Sequence, residues 1–163
     1  NGGSFSLILS HQKSVYKSCD SLTKKFIESE KKQNLSSIDT YKLFETNINN
    51  SKNELENLVL NQTKNGKIFF GLGASTKGNV LLQYCGFGPQ HIKAIGDINI
   101  DKEGKFTPGT WIPIISEEKV LEENPDFLLV LPWHFKEYFK KNNKFKNQNL
   151  VFPLPSLEIF KVS

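Results

Sequence analysis

Between Lys67 and Tyr84 the chain changes its hydrophobic period once. Ile68, Phe69 and Phe70 form a short apolar run bounded by Gly66 and Gly71, the signature of a buried central strand over 67–71. From Thr76 onward Val80, Leu81 and Tyr84 return at helical spacing and predict a helix over 76–85. The same alternation continues downstream. It predicts strands near 92–97, 126–131 and 149–152, with helices near 116–123 and 133–142. Strand and helix in alternation imply an α/β fold, here a Rossmann-like parallel sheet with helices on both faces. Upstream the pattern differs. Residues 4–10 (SFSLILS) alternate like a strand, and 12–65 read as a helical connector in two pieces broken at QNLSS. Val15, Leu22, Phe26 and Ile27 stripe the first piece; Ile38, Tyr41, Phe44, Ile48, Leu55 and Leu58 stripe the second. Ser36 or Ser37 caps the second helix and Asn65-Gly66 stops it. Three zones follow: 1–11, 12–65 and a Rossmann-like domain over 66–163. The stripe on helix 36–64 suits packing on the sheet domain or self-association into a homodimer.

The turn joining the first strand to its helix carries the most chemistry. Gly71 and Gly73 allow a sharp bend, Ala74 and Ser75 are small, and Lys77 and Gly78 lie in the first helical turn. Amide groups and the positive end of a helix dipole at such a turn favour an anion, phosphate above all. The dinucleotide fingerprint places its third glycine closer than Gly78, and a phosphate-binding P-loop needs its lysine after the glycine, so neither motif is met. Asp97 falls about 20 residues on, where such folds place a ribose-binding carboxylate. A strand-end cap or turn former is the other reading of the same residue.

In an open parallel sheet, ligands sit outside the carboxyl ends of the strands. The Gly71–Gly78 turn, Asp97, the 101–113 loop and Pro132-Trp133-His134 are all expected on that rim. The loop DKEGKFTPGTWIP is long for a connection and turns at Pro108-Gly109. Lys102, Lys105, Thr107, Gly109 and Thr110 are candidate contacts to phosphate or sugar oxygens; the competing reading is an exposed turn whose Trp111 and Ile112 dock into the core. Trp133 packs a base or the core, and His134 is a general base by type but reads better as a capping or surface residue.

Composition narrows the field. The net charge of +4 comes from lysine without a single arginine, so the forked donor of specific nucleic-acid readers is missing. The basic run Lys136–Lys146 contains Tyr138, Phe139 and Phe145 and reads as a helix with a solvated lysine face, so no nucleic-acid partner is expected. Cys19 and Cys85 are far apart, which suits free thiols in a reducing, cytoplasmic compartment. His11, His91 and His134 do not cluster with them, so no metal is expected. No apolar run reaches membrane-spanning length.

Four blocks in order, GLGASTKGNVLLQYCGFG, DINIDKEGKFTPGTWIPI, NPDFLLVLPWHF and LVFPLPSLEIF, resemble the C-terminal domain of the S-adenosylmethionine-dependent sugar C-methyltransferases. The resemblance covers about 66–160, and NGGSFSLIL is similar to the last strand of the methyltransferase domain that precedes it in that family. Gly96-Asp97-Ile98-Asn99 departs from the family, which has an apolar residue, Asp and a basic residue there, and His134 stands where Asn is common. The resemblance implies a substrate-holding domain for a nucleotide-linked keto sugar. S-adenosylmethionine and the catalytic base would belong to an upstream methyltransferase domain in cis, leaving no cofactor and no catalytic residue here. The substrate contacts it implies are Gly71, Gly73, Ala74, Ser75, Lys77, Gly78, Asp97, Lys105, Thr107, Gly109, Thr110 and Trp133. An NAD(P)-binding domain of an oxidoreductase and a purely structural or dimerising module remain as alternatives.

Overall fold

The computed structural model describes residues 4–163, and the chain divides after Ile48 into two compact units. In the first, residues 4–10 form no strand, contrary to their alternating pattern. Phe5, Leu7, Ile8 and Leu9 stay exposed, with the Phe5 ring 6.0 Å from that of Phe26. Residues 1–3 lie outside the described residues. Helix α1 (Asp20–Lys32) buries no side chain, and Val15 falls before its start. Helix α2 (Ile38–Lys64) begins where the Ser37 hydroxyl accepts the Asp39 amide at 3.3 Å and ends ahead of Gly66, whose φ is +76°.

The second unit takes residues 49–64 of α2 together with all of the sheet. Its strands are β1 (Phe69–Leu72), β2 (Ile95–Asp97), β3 (Ile114–Ser116), β4 (Phe127–Val130), β5 (Asn149–Phe152) and β6 (Glu158–Lys161). Helices α3 (Thr76–Tyr84), α4 (Glu117–Glu122) and α5 (Lys136–Lys141) connect them. The order is β3-β2-β1-β4-β5-β6, with β1 to β5 parallel and β6 antiparallel to β5. The fold is therefore α/β with a Rossmann-like parallel core and one antiparallel edge. The sequence pattern missed β3 and β6. Three residues are too few to show a period, and β6 returns through a turn where a parallel strand would need a long crossover.

Side chains alternate strictly between two cores. Phe69, Ile95, Ile114, Leu129 and Val151 face one cluster, closed by Leu55 and Val59 of α2 and Leu82 of α3. Their neighbours Phe70, Leu72, Leu128, Val130, Leu150 and Phe152 face the other, closed by Val120 of α4 and Phe139 of α5. Both faces of the sheet are thus covered, which is why its strands read as continuous apolar runs. Asp126 ties the strand starts together, accepting the Ile68 amide and the Lys67 ammonium at 2.9 Å each.

The basic run at 136–146 forms α5 and a separate short helical turn, and Lys136, Lys140, Lys141 and Lys144 have acidic partners. Lys136 and Lys140 both pair with Glu158 of β6, while Lys144 reaches Glu117 at 2.6 Å and Glu118 at 2.7 Å. Phe139 and Phe145 turn inward. Hydrogen bonds from Lys136 and then Lys140 hold the Glu158 carboxyl below its ordinary value of 4.5. A depressed carboxylate stabilises the fold above its unfolded value and loses that contribution as pH falls through the folded one. The stability gap between the wild type and Glu158→Gln is therefore expected in full at neutral pH and is expected to shrink below pH 4.5, as urea titrations at stepped pH will show.

Candidate functional site

The strand order reverses between β1 and β4: β2 and β3 continue on one side, β5 on the other. The turn after β1 and the segment after β4 meet at this point, the place where open α/β sheets bind their ligands. Glycines make the approach close. Gly73 has φ +76°, and a Cβ there would lie 2.8 Å from Pro132 Cγ and Cδ. A Cβ on Gly78 would lie 2.6 Å from Leu131 Cβ, so Gly78 lets α3 press on the end of β4. Gly71 sits within β1 against Ile95.

The turn is filled with its own hydrogen bonds. The Gly73 amide donates to Gly96 O at 2.7 Å, and the Ser75 amide to Gly73 O at 2.8 Å. The Ser75 hydroxyl caps α3 by accepting the Gly78 amide at 3.1 Å. The Ala74 amide donates to Asp97 Oδ2 at 2.7 Å. That carboxylate is 9% exposed, and its other oxygen accepts the Asn99 amide at 2.8 Å. Lys102 completes a clamp, its Nζ 3.0 Å from both Asp97 Oδ2 and Ala74 O. The amides expected to point at a phosphate are thus largely committed, and the anion that Ala74 meets is Asp97. Asp97 acts as a turn former, accepting from Ala74, Asn99 and Lys102.

Lys77 in the first turn of α3 and His134 in the segment after β4 follow the two strands that meet at this point. Burial first, and then the nearby charge of Lys77, hold the His134 imidazole below its ordinary value of 6.5, so it is neutral at physiological pH. Its Nδ1 and the Oδ1 of Asn79 are buried without a partner among the described residues. Trp133 is half-buried and packs against the core cluster shared by α4 and α5.

The remaining candidates lie elsewhere. The long segment after β2 keeps only its first residues on the rim, then doubles back as a hairpin. Gly104 N meets Ile114 O at 3.0 Å, Ile114 N meets Lys105 O at 2.8 Å, and Thr107 N meets Ile112 O at 2.9 Å. Its tip rests against the far end of α3, where Gln83 Nε2 donates to Pro108 O at 2.8 Å. Eight helical residues separate Ser75 from Gln83, about 12 Å along the axis. The expectation that the whole 101–113 loop shares the rim is corrected accordingly: Thr107, Gly109 and Thr110 sit at the opposite end of the sheet, and Lys105 lies between. The Thr107 hydroxyl, in a residue 1% exposed, is spent on Thr110 Oγ1 at 2.5 Å and the Ile112 amide at 2.9 Å. Ile112 is buried as its apolar character suggests, but Trp111 is 70% exposed with φ +57°. Lys102, which closes the clamp, stood among the loop donors in the sequence. Nothing there distinguished it from Lys105, because its partner Asp97 becomes a neighbour only through the helical turn at Ile100–Lys102. Cys85 is inert, its thiol pushed up to about 11 by burial and then by Glu56.

The sheet order and its covering helices define a Rossmann-like α/β domain. The chain belongs to the C-methyltransferase C-terminal domain family, whose model matches residues 1–155. Among characterised relatives it is similar to the C-methyltransferase NovU of Streptomyces niveus, with 33% identity over 129 residues that make up 77% of this chain and 31% of that protein. The chain spans about a third of the length of this curated relative. No helix among the described residues is long and apolar enough to cross a membrane.

Proposed function

We propose that this chain is the substrate-holding domain of an S-adenosylmethionine-dependent C-methyltransferase acting on a nucleotide-linked keto sugar. What supports the reading is the chain's place in the C-methyltransferase C-terminal domain family, together with the β1/β4 divide, where Lys77 opens α3 after a turn braced by Asp97 and Lys102. A carbon next to a ketone is acidic enough to be deprotonated, and so a keto sugar can accept a methyl group on carbon. S-adenosylmethionine, bound by a methyltransferase domain outside this chain, supplies that methyl. The role of the present residues is to bind and orient. Lys77 meets the diphosphate, and the neutral His134 offers a polar contact without adding charge. Positioning alone contributes several kcal/mol to such a reaction. The chain by itself is not expected to methylate.

Calorimetric titration with a thymidine-diphosphate sugar, S-adenosylmethionine and NAD tests this directly. Binding of the sugar nucleotide alone, weakened about tenfold in Lys77→Ala, is the expected result. In the full-length enzyme the same substitution should raise KM and leave kcat unchanged. NAD binding at micromolar affinity would instead identify a dinucleotide domain. A collapse of kcat at constant KM would show that Lys77 acts in the transition state.

A further inference from the structure

The geometry points to a second binding site, at the amino-terminal end of the sheet, for an uncharged sugar ring stacked on Trp111. The groove lies between the hairpin tip and the segment that follows α3, has a volume of about 520 Å³, and is lined by Gln83, Phe87, Gln90, Gly109, Thr110 and Trp111 together with neighbouring glycine and proline backbone. It is an open surface groove, which suits a ring stacked on one face.

Trp111 is the first argument. A bulky residue with φ +57° is a backbone outlier that persists only when its surroundings impose it. Here they do. The Trp111 amide donates to Thr107 O at 3.0 Å, Thr107 Oγ1 holds Thr110 and the Ile112 amide, and Gln83 anchors Pro108. This clasp buries Ile112 completely yet leaves Trp111 70% exposed, with the exposed Phe106 ring 6.4 Å away. The strain therefore gives Trp111 no place in the core. It displays a flat aromatic face to solvent on a rigid support.

The lining is the second argument. In a chain where 23% of residues are charged, none of the side chains lining this groove is ionisable, although His91 accepts the Gly88 amide behind it at 3.2 Å. That disfavours phosphate, carboxylate or amine ligands, whose charge would go unanswered. The Gln83 and Gln90 amides and the Thr110 hydroxyl both donate and accept, as neutral hydroxyl groups require. An apolar ring face beside amides matches a pyranose, which has a C–H face and a hydroxyl perimeter. The site does not depend on the rim, so either can fail alone.

The test uses the whole chain in a Trp133→Phe background, leaving Trp111 as the reporter, titrated with methyl glucopyranoside, methyl galactopyranoside, maltose and thymidine. A saturable shift of indole emission with at least one saccharide, at a dissociation constant on the order of 1 mM, is expected. Trp111→Asn, a residue that tolerates positive φ, should weaken that binding at least tenfold by calorimetry and melt no lower than the wild type. No saturable change at ten times that concentration overturns the site, as does binding of thymidine in place of the saccharides. A Trp111→Asn variant that melts several degrees lower, or fails to fold, assigns Trp111 to the fold and overturns the strain argument. A change of oligomeric state in that variant, with saccharide binding unaltered, makes the patch a protein contact instead.

Discussion

Asp97→Ala is expected to lower stability by about 3 kcal/mol, the largest loss from any single polar side chain on the rim. The substitution strands the Ala74 and Asn99 amides, which Asp97 accepts at 2.7 and 2.8 Å, and leaves the Lys102 ammonium without its carboxylate. The Ala74 amide is buried, and a buried donor left unpaired costs about 1–3 kcal/mol. Asn99 is exposed and its amide can turn to water, and Lys102 is 39% exposed and screened by solvent, so these two add little and the total stays near the upper end of that range. Asp97→Asn keeps an acceptor for one amide and should cost about half as much. Urea unfolding should show a lower midpoint at unchanged slope for both variants. A loss below about 1 kcal/mol in Asp97→Ala would mean that the clamp does not brace the turn.

Gly73→Ala should be comparably severe for a different reason. At φ +76° a side chain costs about 1–2 kcal/mol even in open space. Here the added methyl would also sit 2.8 Å from two atoms of the Pro132 ring, and overpacking of this kind typically costs about 1–3 kcal/mol more. Pro132 is backbone-locked and cannot swing aside, so the turn after β1 and the segment after β4 must separate. The expected outcome is a loss of about 3 kcal/mol with weakened sugar-nucleotide binding, measured by unfolding and by calorimetry on the same preparation. Gly66→Ala is the control: it shares φ +76° but has nothing within 4 Å of its Cβ, so it should show the backbone cost alone.

Much of this architecture was legible in the residues themselves. Ile68-Phe69-Phe70 and FLLV read as central strands because both faces of those strands are buried, and the α3 helix announced itself through Val80, Leu81 and Tyr84. The turn glycines were visible too, since their spacing is local. What stayed hidden depends on pairing across distance. Lys102 and Lys105 look alike in the chain, yet only one folds back onto Asp97. Nothing in a Pro-Gly turn signal says that the hairpin runs down the sheet to Gln83, and so Thr107 and Thr110 were expected beside phosphate when they clasp a distant tip. Trp111 was expected, in one reading, to be buried, because a large aromatic next to isoleucine ordinarily is. The positive φ that turns it outward is set by Thr107, four residues earlier.

Asp97 occupies, through a covalent tether, the position that related sheets offer to a dissociable anion. A tethered ligand cannot be diluted away, because its effective concentration is fixed by the chain and not by the solution. The turn between β1 and α3 should therefore keep its shape through every stage of a binding cycle, before a substrate arrives and after a product leaves. In the proposed substrate-holding role, selection among sugars would fall on the side chains around the turn, with no refolding step to slow turnover.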